Sequence, residues 1–366
     1  MHAIAANGFA DGPAQALRDY LVAHGAEVVT IFHPLTPEQG SRHVVTRYGG
    51  GRIVDQHSVD VRIAPPRSYV LDPFVPLLPP KVETWFGFNP LACARALPLR
   101  PLRRVRSVVL WSVDFVPDRF GSSTAATRIY DRLDRLCCAR ADTRVELSEA
   151  ARDARNRRHG LSDGGAPTHI VPMGAWLGRV PTTAPDAYRH RRIVFLGHLV
   201  GRQGVELLLD ALGRLDDVTG DVIGSGPLEQ DLRARAPANV RFHGFVGDHR
   251  DVERLLAAAS LAVAPYRESD ANFTRYADPG KLKAYLAAGL PIVLTRVPPT
   301  ADELAREAGA ELIPYDARAL ERAILSALTD AERWQERRRA ALAYVRQFDW
   351  EVLLSDLLPK LGVELR

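Results

Sequence analysis

The stretch from Tyr266 to Thr295 restricts the fold of this chain more than any other. An apolar run from Leu261 to Pro265 leads into a polar connector, after which Pro279 introduces a helical pattern that ends at Gly289. Proline suits the first turn of a helix, because the amide that it lacks would have no intrahelical acceptor there. Glycine ends the helix, and the apolar segment Ile292–Leu294 predicts the next buried strand. The stretch therefore predicts strand, helix and strand, the repeating unit of a parallel α/β sheet.

The start of this helix is a candidate anion site. Asp278 precedes Pro279, and we expect its carboxylate to accept hydrogen bonds from the free amides of the first turn. Such amides, together with the positive end of the helix, also suit a phosphate group. Gly280 and Lys281 follow directly, and Lys281 adds a cation at the same place. An ordinary, well-capped helix of a βαβ unit would have the same pattern, so this stretch alone leaves both interpretations open.

The length and the charge distribution indicate a two-domain protein whose first half meets anions. A chain of 366 residues with 46% hydrophobic content can form about two domain cores. Residues up to Val180 include 23 basic and 17 acidic side chains, whereas the remainder has 25 and 27. The basic first half suits anions or acidic lipid. No long basic helix and no aromatic-basic repeat appears, which argues against nucleic-acid binding.

The cysteine content favours a reducing compartment. The three cysteines, Cys93, Cys137 and Cys138, fit neither a disulfide framework nor a zinc set. We find no secretion signal at the start of the sequence and no apolar run of the roughly 18 residues that a membrane-spanning helix needs. The sequence therefore predicts a cytoplasmic protein.

The segment from Leu97 to Arg106 has two interpretations. It reads Leu-Pro-Leu-Arg-Pro-Leu-Arg-Arg-Val-Arg. Leucines interleaved with arginines favour contact with an anionic membrane, which would make the protein peripheral at the inner membrane face. The two prolines argue against a long amphipathic helix, and a solvated basic loop accounts for the same pattern.

The first half begins with the pattern of a doubly wound domain. A strand at Ala3–Ala6, a turn through Gly12, a helix over Ala14–His24 and a strand at Glu27–Phe32 follow one another. The glycines of the turn do not match the three-glycine dinucleotide fingerprint, so no nicotinamide site is predicted. Gly12 either lets the backbone approach a sugar or phosphate, or simply forms a tight turn.

Asp114 is the candidate catalytic residue of the first half. It lies near the end of a predicted strand, Val108–Phe115, and open α/β sheets bind ligands at the carboxyl ends of their strands. Trp111 and Arg119, from the strand and the following loop, are candidates for the acceptor side. A carboxylate that pairs with Arg119 and only shapes the loop is the alternative.

Two helices are predicted after this loop. The first, Ser123–Ala139, is expected to bury Ile129, Leu133 and Leu136. The second begins after Ser148, its predicted N-cap, and is expected to carry arginines on its outer face. These arginines are Arg152, Arg155, Arg157 and Arg158.

The second half repeats the pattern of a short apolar run, a turn and a helical segment. Six such runs are recognisable between residues 193 and 314. Their glycine-bearing turns gather at one edge of a second doubly wound sheet, and we expect that edge to face the first domain across a cleft.

These segments resemble, in order and spacing, the nucleotide-sugar domain of the family-four glycosyltransferases, the glycosyl transferases group 1 type. The resemblance covers nearly all of residues 192–355 and is weaker in the first half, where it is limited to features such as Gly12 and the strand end at Asp114. The matching segments are Phe195–Leu199, Gln203–Val205, Ile223–Pro227, Phe242–Val246, Lys281–Val293 and Phe348–Trp350.

The resemblance implies an α/β protein of the GT-B fold, with two doubly wound Rossmann-like domains and an interdomain cleft. The implied organisation is an N-terminal acceptor-side domain over 1–178, a linker over 179–191, a nucleotide-sugar domain over 192–347 and a C-terminal helix over 348–366 that packs back toward the N-terminal domain.

The resemblance also implies a function: transfer of a sugar, with retention, from a nucleoside-diphosphate sugar to an acceptor hydroxyl in polysaccharide, glycolipid or natural-product glycoside synthesis. The donor is a substrate, and neither a cofactor nor a metal is expected. Carbohydrates, lipid-linked molecules and small molecules are the implied acceptors. Asp114 is the implied catalytic residue, with Trp111 and Arg119 on the acceptor side. The implied donor-binding residues are Gly12, His198, Arg202, Gln203, Gly224, Gly226, Phe245, Val246, Asp278, Gly280, Lys281 and Tyr285.

Four side chains that the family usually has are absent. The arginine and lysine that hold the donor diphosphate are replaced by His198 and Gln203, and two glutamates spaced eight residues apart are replaced by Tyr276 and Ala284. Burying a diphosphate without partners costs several kcal/mol, so Arg202, Lys281, His198 and the amides at the helix start would have to compensate.

Two other functions are compatible with these departures. The first is a non-catalytic partner protein that binds a nucleotide sugar or carbohydrate. The second keeps the fold but changes the chemistry, as in a sugar phosphorylase or a nucleotide-sugar epimerase.

Overall fold

The computed structural model describes residues 1–9, 11–76, 81–161, 165–269 and 272–365. The chain forms two compact units. The first contains Met1–Pro172 together with Trp350–Arg366, and the second contains Met173–Asp349. Residues 179–191, the predicted linker, lie within the second unit.

Each unit is built on one sheet flanked by helices. The strands are β1 (His2–Asn7), β2 (Val28–His33), β3 (Arg42–Gly49), β4 (Arg52–Asp60), β5 (Val82–Gly87), β6 (Val105–Ser112), β7 (Thr143–Glu146), β8 (Thr168–Ile170), β9 (Arg192–Leu196), β10 (Thr219–Ile223), β11 (Val240–Gly244), β12 (Leu261–Ala264), β13 (Ile292–Thr295) and β14 (Glu311–Ile313). The helices are α1 (Pro13–Ala23), α2 (Pro90–Ala96), α3 (Ala125–Arg140), α4 (Glu149–His159), α5 (Val205–Leu212), α6 (Glu229–Arg235), α7 (His249–Ala257), α8 (Gly280–Ala287), α9 (Ala301–Glu307), α10 (Ala317–Thr329), α11 (Ala331–Tyr344) and α12 (Trp350–Lys360).

The first sheet has the order β4-β3-β2-β1-β5-β6-β7-β8. It is parallel except for the hairpin of β3 and β4, which pairs antiparallel to β2. The second sheet has the order β11-β10-β9-β12-β13-β14 and is parallel throughout. Two doubly wound α/β sheets are therefore present, and the predicted fold class is confirmed.

The central strands are apolar on both faces, as strands covered by helices on both sides must be. In β1 and β12 every residue from Ala3 to Ala6 and from Leu261 to Ala264 is buried. The strands from residue 193 onward lie within one or two residues of their predicted positions. The helix α11 was not predicted.

Two predicted helix faces in the first unit are wrong. The helix α3 leaves Ile129 and Leu136 exposed, with 65% and 45% of their surface accessible, and it buries Thr127, Asp134 and two cysteines instead. On α4, Arg155 does not lie on the outer face but is almost completely buried. Both errors have the same cause, because the surface that covers these helices contains buried charges rather than a purely apolar core.

Arg155 is the centre of that buried charge cluster. Its guanidinium forms ion pairs with Asp134 and, at 2.9 Å from Nε, with Glu146. It also donates hydrogen bonds to the hydroxyl of Ser112 and, at 2.7 Å, to the backbone carbonyl of Asp114. These contacts join α3, α4, β6 and β7 to the loop that follows β6.

The cluster sets the protonation of its own members. Burial alone would raise the pKa of Asp134, but Arg155 and the hydrogen bond from His159 at 2.9 Å hold that pKa below its ordinary value. Burial raises the pKa of Glu146 in spite of the nearby arginine. One buried guanidinium therefore balances two buried carboxyl groups.

No helix in the described part of the chain is both long enough and apolar enough to cross a bilayer.

The charge cluster gives a stability prediction. We expect Arg155→Ala to lower the free energy of unfolding by about 3–5 kcal/mol, because two buried carboxylates would lose their partner. Arg157→Ala, on the exposed face of the same helix, should change it by less than about 0.5 kcal/mol. Urea denaturation followed by circular dichroism measures both, and an equal effect of the two substitutions would contradict the role of the cluster.

Candidate functional site

The candidate site of the second unit lies where the strand order reverses. Along the chain, β9 is followed by β10 on one side, whereas β12 pairs with β9 on its other side. Open parallel sheets bind ligands at such a switch point, outside the carboxyl ends of the strands. The loop after β9 and the loop after β12 flank this position, and α8 begins after the second loop.

Lys281, in the first turn of α8, places its ammonium group at this edge. Its Nζ donates a hydrogen bond of 2.6 Å to Oε1 of Gln203, and it lies 4.3 Å and 4.5 Å from the ring centres of Phe195 and Tyr266. Within the described ranges, no carboxylate lies within ion-pair distance of Lys281. Burial and the positive charge of Arg202 lower the pKa of Lys281 well below its ordinary value.

Arg202 is the second cation of the site. Its guanidinium stacks over the ring of Phe273 at 4.4 Å, and its Nε is buried without a hydrogen-bond partner in the described chain. Burial lowers the pKa of Arg202. Two desolvated cations without carboxylate partners create a positive potential, which an anion would relieve.

The first turn of α8, which contains Lys281, also has free backbone amides. The helix begins at Gly280 with Pro279 as its N-cap, and no side chain caps it. The amides of Gly280 and Lys281 belong to the first turn, so they have no acceptor within the helix. This arrangement suits the anion site that the sequence predicts.

The predicted cap by Asp278 is wrong. Its carboxylate is buried, where it forms an ion pair of 2.9 Å with Lys283 Nζ and accepts a hydrogen bond of 2.8 Å from the backbone amide of Met173. The Asp278 side chain is thus used inside the second unit, and its predicted donor contact stays a prediction. The consequence is that the helix start has no carboxylate of its own to compete with an anionic ligand.

Glycines let the loops of the site pack backbone against backbone. A Cβ on Gly224 would lie 2.0 Å from the carbonyl oxygen of Gly197, and a Cβ on Gly226 would lie 2.6 Å from that of Leu199. A Cβ on Gly204 would lie 1.8 Å from the carbonyl oxygen of Pro265. The predicted donor residues Gly224 and Gly226 therefore have a packing role, whatever they contact in a ligand.

The other predicted donor residues of this unit differ in exposure. His198 is exposed next to Gly197, and Phe245 has 71% of its surface accessible, with Val246 half-buried beside it. Tyr285 is completely buried, and its hydroxyl accepts a hydrogen bond of 2.7 Å from the amide of Leu196. Tyr285 therefore fixes the end of β9 from behind.

The structure shows the surroundings of Tyr276 and Ala284, the residues that stand where the family usually has glutamates. Ala284 is half-buried on α8 and packs against the hydrophobic core of the second unit. Tyr276 is half-buried at the end of the turn that contains Phe273. The packing of Ala284 accounts for a small apolar side chain at that position.

In the first unit, Asp114 lies two residues beyond the end of β6 rather than within the strand as predicted. Its carboxylate forms an ion pair with Arg119, which was the alternative interpretation from the sequence. The guanidinium of Arg119 also stacks on Tyr130 at 5.5 Å, and Asp114 raises the pKa of Arg119 in spite of its burial. The ion pair does not exclude a ligand, because more than a quarter of each side chain is accessible.

Trp111 and Gly12 are less accessible for the ligand contacts that the sequence predicts. Trp111 is fully buried and stacks on Phe88 with ring centres 5.0 Å apart, so its predicted place on the acceptor side lies behind the surface. Gly12 is the N-cap of α1 and has extended backbone angles that any residue can adopt. The roles of both residues stay predictions.

Among the described residues, one group of three side chains is clustered closely enough to be considered as a metal site. His33, His43 and Asp72 are buried together, with the two Nδ1 atoms 2.7 Å apart and Asp72 Oδ1 at 3.8 Å and 3.6 Å from them. Two nitrogen ligands of one tetrahedral zinc are roughly 3.3 Å apart, given Zn–N distances of about 2.0–2.1 Å. The shorter separation fits a hydrogen bond between the rings. Burial lowers the pKa of His33 to about 3 and raises that of Asp72 to about 6.

Comparison with known proteins supports the family resemblance that the sequence of the second unit indicates. The family profile described as Glycosyl transferases group 1 matches residues 190–330. The GDP-mannose-dependent alpha-(1-6)-phosphatidylinositol dimannoside mannosyltransferase of Mycobacterium tuberculosis (strain ATCC 25177 / H37Ra) is 27% identical over 175 residues, which are 46% of this chain and 43% of that protein. The match thus spans less than half of the length of this relative.

Solved structures resemble the whole chain. Sucrose-phosphate synthase from Thermosynechococcus elongatus superposes with a TM-score of 0.75 at 17% identity, covering 99% of this chain and 98% of that one. Anabaena HepE in complex with UDP-glucose superposes with a TM-score of 0.67 at 15% identity, covering 99% of each chain. These similarities show the GT-B fold, as the sequence predicts.

The close approach at Gly204 gives a prediction about this site. Gly204 has a φ of +69° and no room for a Cβ, so we expect Gly204→Ala to lower the free energy of unfolding by at least about 2 kcal/mol. Gly201, three residues earlier, has open space around the position of its Cβ. Gly201→Ala should therefore change stability by less than about 0.5 kcal/mol. Thermal unfolding of both variants is the measurement, and a neutral Gly204→Ala would refute the packing argument.

Proposed function

We propose that this chain, whose residues 190–330 belong to the group 1 glycosyl transferases, moves a sugar from a nucleoside-diphosphate sugar to an acceptor hydroxyl. The observation that carries the proposal is that Lys281 and Arg202, both partly buried at the switch point of the second sheet, contact aromatic rings and an amide oxygen rather than carboxylates. Both lack an acidic partner among the residues that the structure describes. A diphosphate supplies the missing negative charge.

The second unit would hold the leaving group. As the bond between the anomeric carbon and the diphosphate breaks, negative charge grows on the diphosphate oxygens. Lys281, Arg202 and the first amides of α8 stabilise that charge from fixed positions, which is the usual source of catalytic power in such sites. Phe245 and Val246 offer apolar surface for the nucleoside, and His198, which is exposed in the loop after β9, would contact the sugar or phosphate.

Asp114 of the first unit would orient the acceptor. Its carboxylate can accept a hydrogen bond from a sugar hydroxyl, and proximity alone accounts for a large part of the rate of group transfer. Arg119 forms an ion pair with the carboxylate and holds it in place. We propose that the reaction retains the anomeric configuration.

The donor and acceptor classes follow from the relatives. The mycobacterial relative is named for GDP-mannose and phosphatidylinositol dimannoside, and the HepE structure contains UDP-glucose. We propose a hexose on a nucleoside diphosphate as the donor and a carbohydrate or lipid-linked acceptor.

A donor-binding protein without catalysis is the second candidate. It is favoured by Tyr276 and Ala284, which replace carboxylates that the family usually has. Hydrolysis of the donor in the absence of acceptor distinguishes the two candidates, because only a catalyst cleaves the bond to the anomeric carbon.

The cation pair predicts nucleotide affinity. We expect Lys281→Ala to weaken binding of the preferred nucleotide, UDP or GDP, at least about tenfold, because a charge-assisted contact to the diphosphate contributes about 1.5–3 kcal/mol. Isothermal titration with both nucleotides and both proteins measures the change. Arg322→Ala, which removes an exposed charge on α10, is the matched control and should leave the affinity unchanged. Equal affinities of wild type and Lys281→Ala would refute the site.

The acceptor side gives a separate prediction. We expect Asp114→Asn to lower turnover at least about 100-fold while the dissociation constant for UDP or GDP stays within about twofold, because the carboxylate acts on the acceptor and not on the donor. Asp118→Asn, four residues further on, serves as the control and should leave turnover unchanged. Release of nucleoside diphosphate from UDP-glucose or GDP-mannose, with phosphatidylinositol mannosides as acceptor, is the assay. Unchanged turnover of Asp114→Asn would remove Asp114 from the mechanism.

A further inference from the structure

The outer face of α3 combines arginines with exposed apolar side chains. Arg128, Arg132 and Arg135 are exposed along this face, and Ile129 and Leu136 lie beside them with 65% and 45% of their surface accessible. This face therefore presents basic and accessible apolar side chains together, as amphipathic helices do at an interface.

The acidic residues of α3 are turned away from this face. Asp131 accepts hydrogen bonds from Arg158 on α4, and Asp134 is buried beside Arg155. The outer face therefore carries positive charge that the helix itself does not neutralise.

The turn between α2 and β6 extends the surface. Leu102 has 66% of its surface accessible, and Arg103 and Arg106, which follow it in sequence, are also exposed. A pocket of about 1040 Å³ is lined by Arg103, Arg106, Leu136 and Arg140, so the turn and the end of α3 form one continuous surface.

Six exposed arginines of this surface are not paired with acidic side chains. Across the ranges that the structure describes, no carboxylate lies within ion-pair distance of any of these six. They are Arg103, Arg106, Arg128, Arg132, Arg135 and Arg140. Arg100, which also lines the pocket, is different because it pairs with Asp142 at 2.7 Å. Glu83 is the acidic residue among those lining the pocket.

We propose that this surface, formed by α3 and by the turn from Leu97 to Arg106, docks the first unit onto an anionic lipid bilayer. The arginines would contact lipid phosphates, and Leu102, Ile129 and Leu136 would enter the boundary between headgroups and acyl chains. A nucleic acid would contact the same arginines through its phosphates. It would not explain the three exposed aliphatic side chains, because the nucleic-acid backbone is contacted by polar groups. This inference does not depend on the donor site.

Vesicle co-sedimentation of the full chain tests the charge contribution. Wild type should bind vesicles of phosphatidylcholine with 30% phosphatidylglycerol, and binding should fall when NaCl is raised to 0.5 M and be absent with pure phosphatidylcholine. The double variant Arg132→Glu with Arg135→Glu should bind at least about tenfold more weakly, because each basic side chain contributes to attraction by anionic lipid.

A matched control makes the same change of net charge at a different surface. Arg333→Glu with Arg339→Glu changes two exposed arginines of α11 in the second unit and should bind vesicles as wild type does. Thermal midpoints of both double variants verify that they are folded. Equal binding of the two double variants, or equal binding of wild type to neutral and anionic vesicles, would overturn the proposal.

Insertion of the aliphatic side chains has its own test. All three native cysteines are buried, so Leu102→Cys provides a thiol that an environment-sensitive fluorophore can label selectively. The emission of the labelled protein should shift to the blue and increase with anionic vesicles, and brominated acyl chains should quench it. A duplex oligonucleotide that displaces the vesicles while the label shows no shift would identify a polyanion surface instead and would refute bilayer docking.

Discussion

The uncompensated charge of Lys281 is the constraint on which the second unit depends. An ammonium group that is partly removed from water and lacks a carboxylate is costly, and the chain reduces that cost with two aromatic faces and the amide oxygen of Gln203. None of these partners neutralises the charge. Under the proposed function, the charge is left for an anion that arrives and leaves, whereas an acidic side chain at the same place would occupy the site permanently.

The carboxylate that could have occupied it, Asp278, is committed elsewhere. It is paired with Lys283 and holds the amide of Met173 at the beginning of the second unit. The segment 173–175 is in turn fastened to the end of the unit, where the Ala175 amide donates to the Phe348 carbonyl. The residues around the helix start therefore have different contacts. Lys281 lies at the switch-point edge of the sheet, and Asp278 and Lys283 connect the helix to the two ends of the unit.

The sequence predicts the second unit better than the first, for a physical reason. Strands such as Ile292–Thr295 are buried on both faces and ended by glycine or proline, so hydrophobic pattern and turn chemistry agree. In α3 the pattern misleads, because the helix packs on a charge cluster with Asp134 and exposes Ile129. The helix α11 was missed because Arg337 interrupts its apolar stripe, although Trp334, Ala341 and Tyr344 recur at helical spacing. Burial of Arg155 could not be read from spacing, since its partners come from three other elements. The place of Lys281 in the first turn of α8 could be read, because proline and glycine mark the start and the end of that helix in the local sequence.

The glycine contacts around the site determine which positions of such a protein can change without altering its fold. The loops are held in shape by main-chain atoms, with Gly224 against Gly197 and Gly204 against Pro265. Side chains that project from these loops, such as His198 and Gln203, contribute little to the shape itself. A scaffold of this kind tolerates exchange of the side chains that project from its loops. Under the proposed function, a new donor preference can therefore arise through a few substitutions while the framework stays intact.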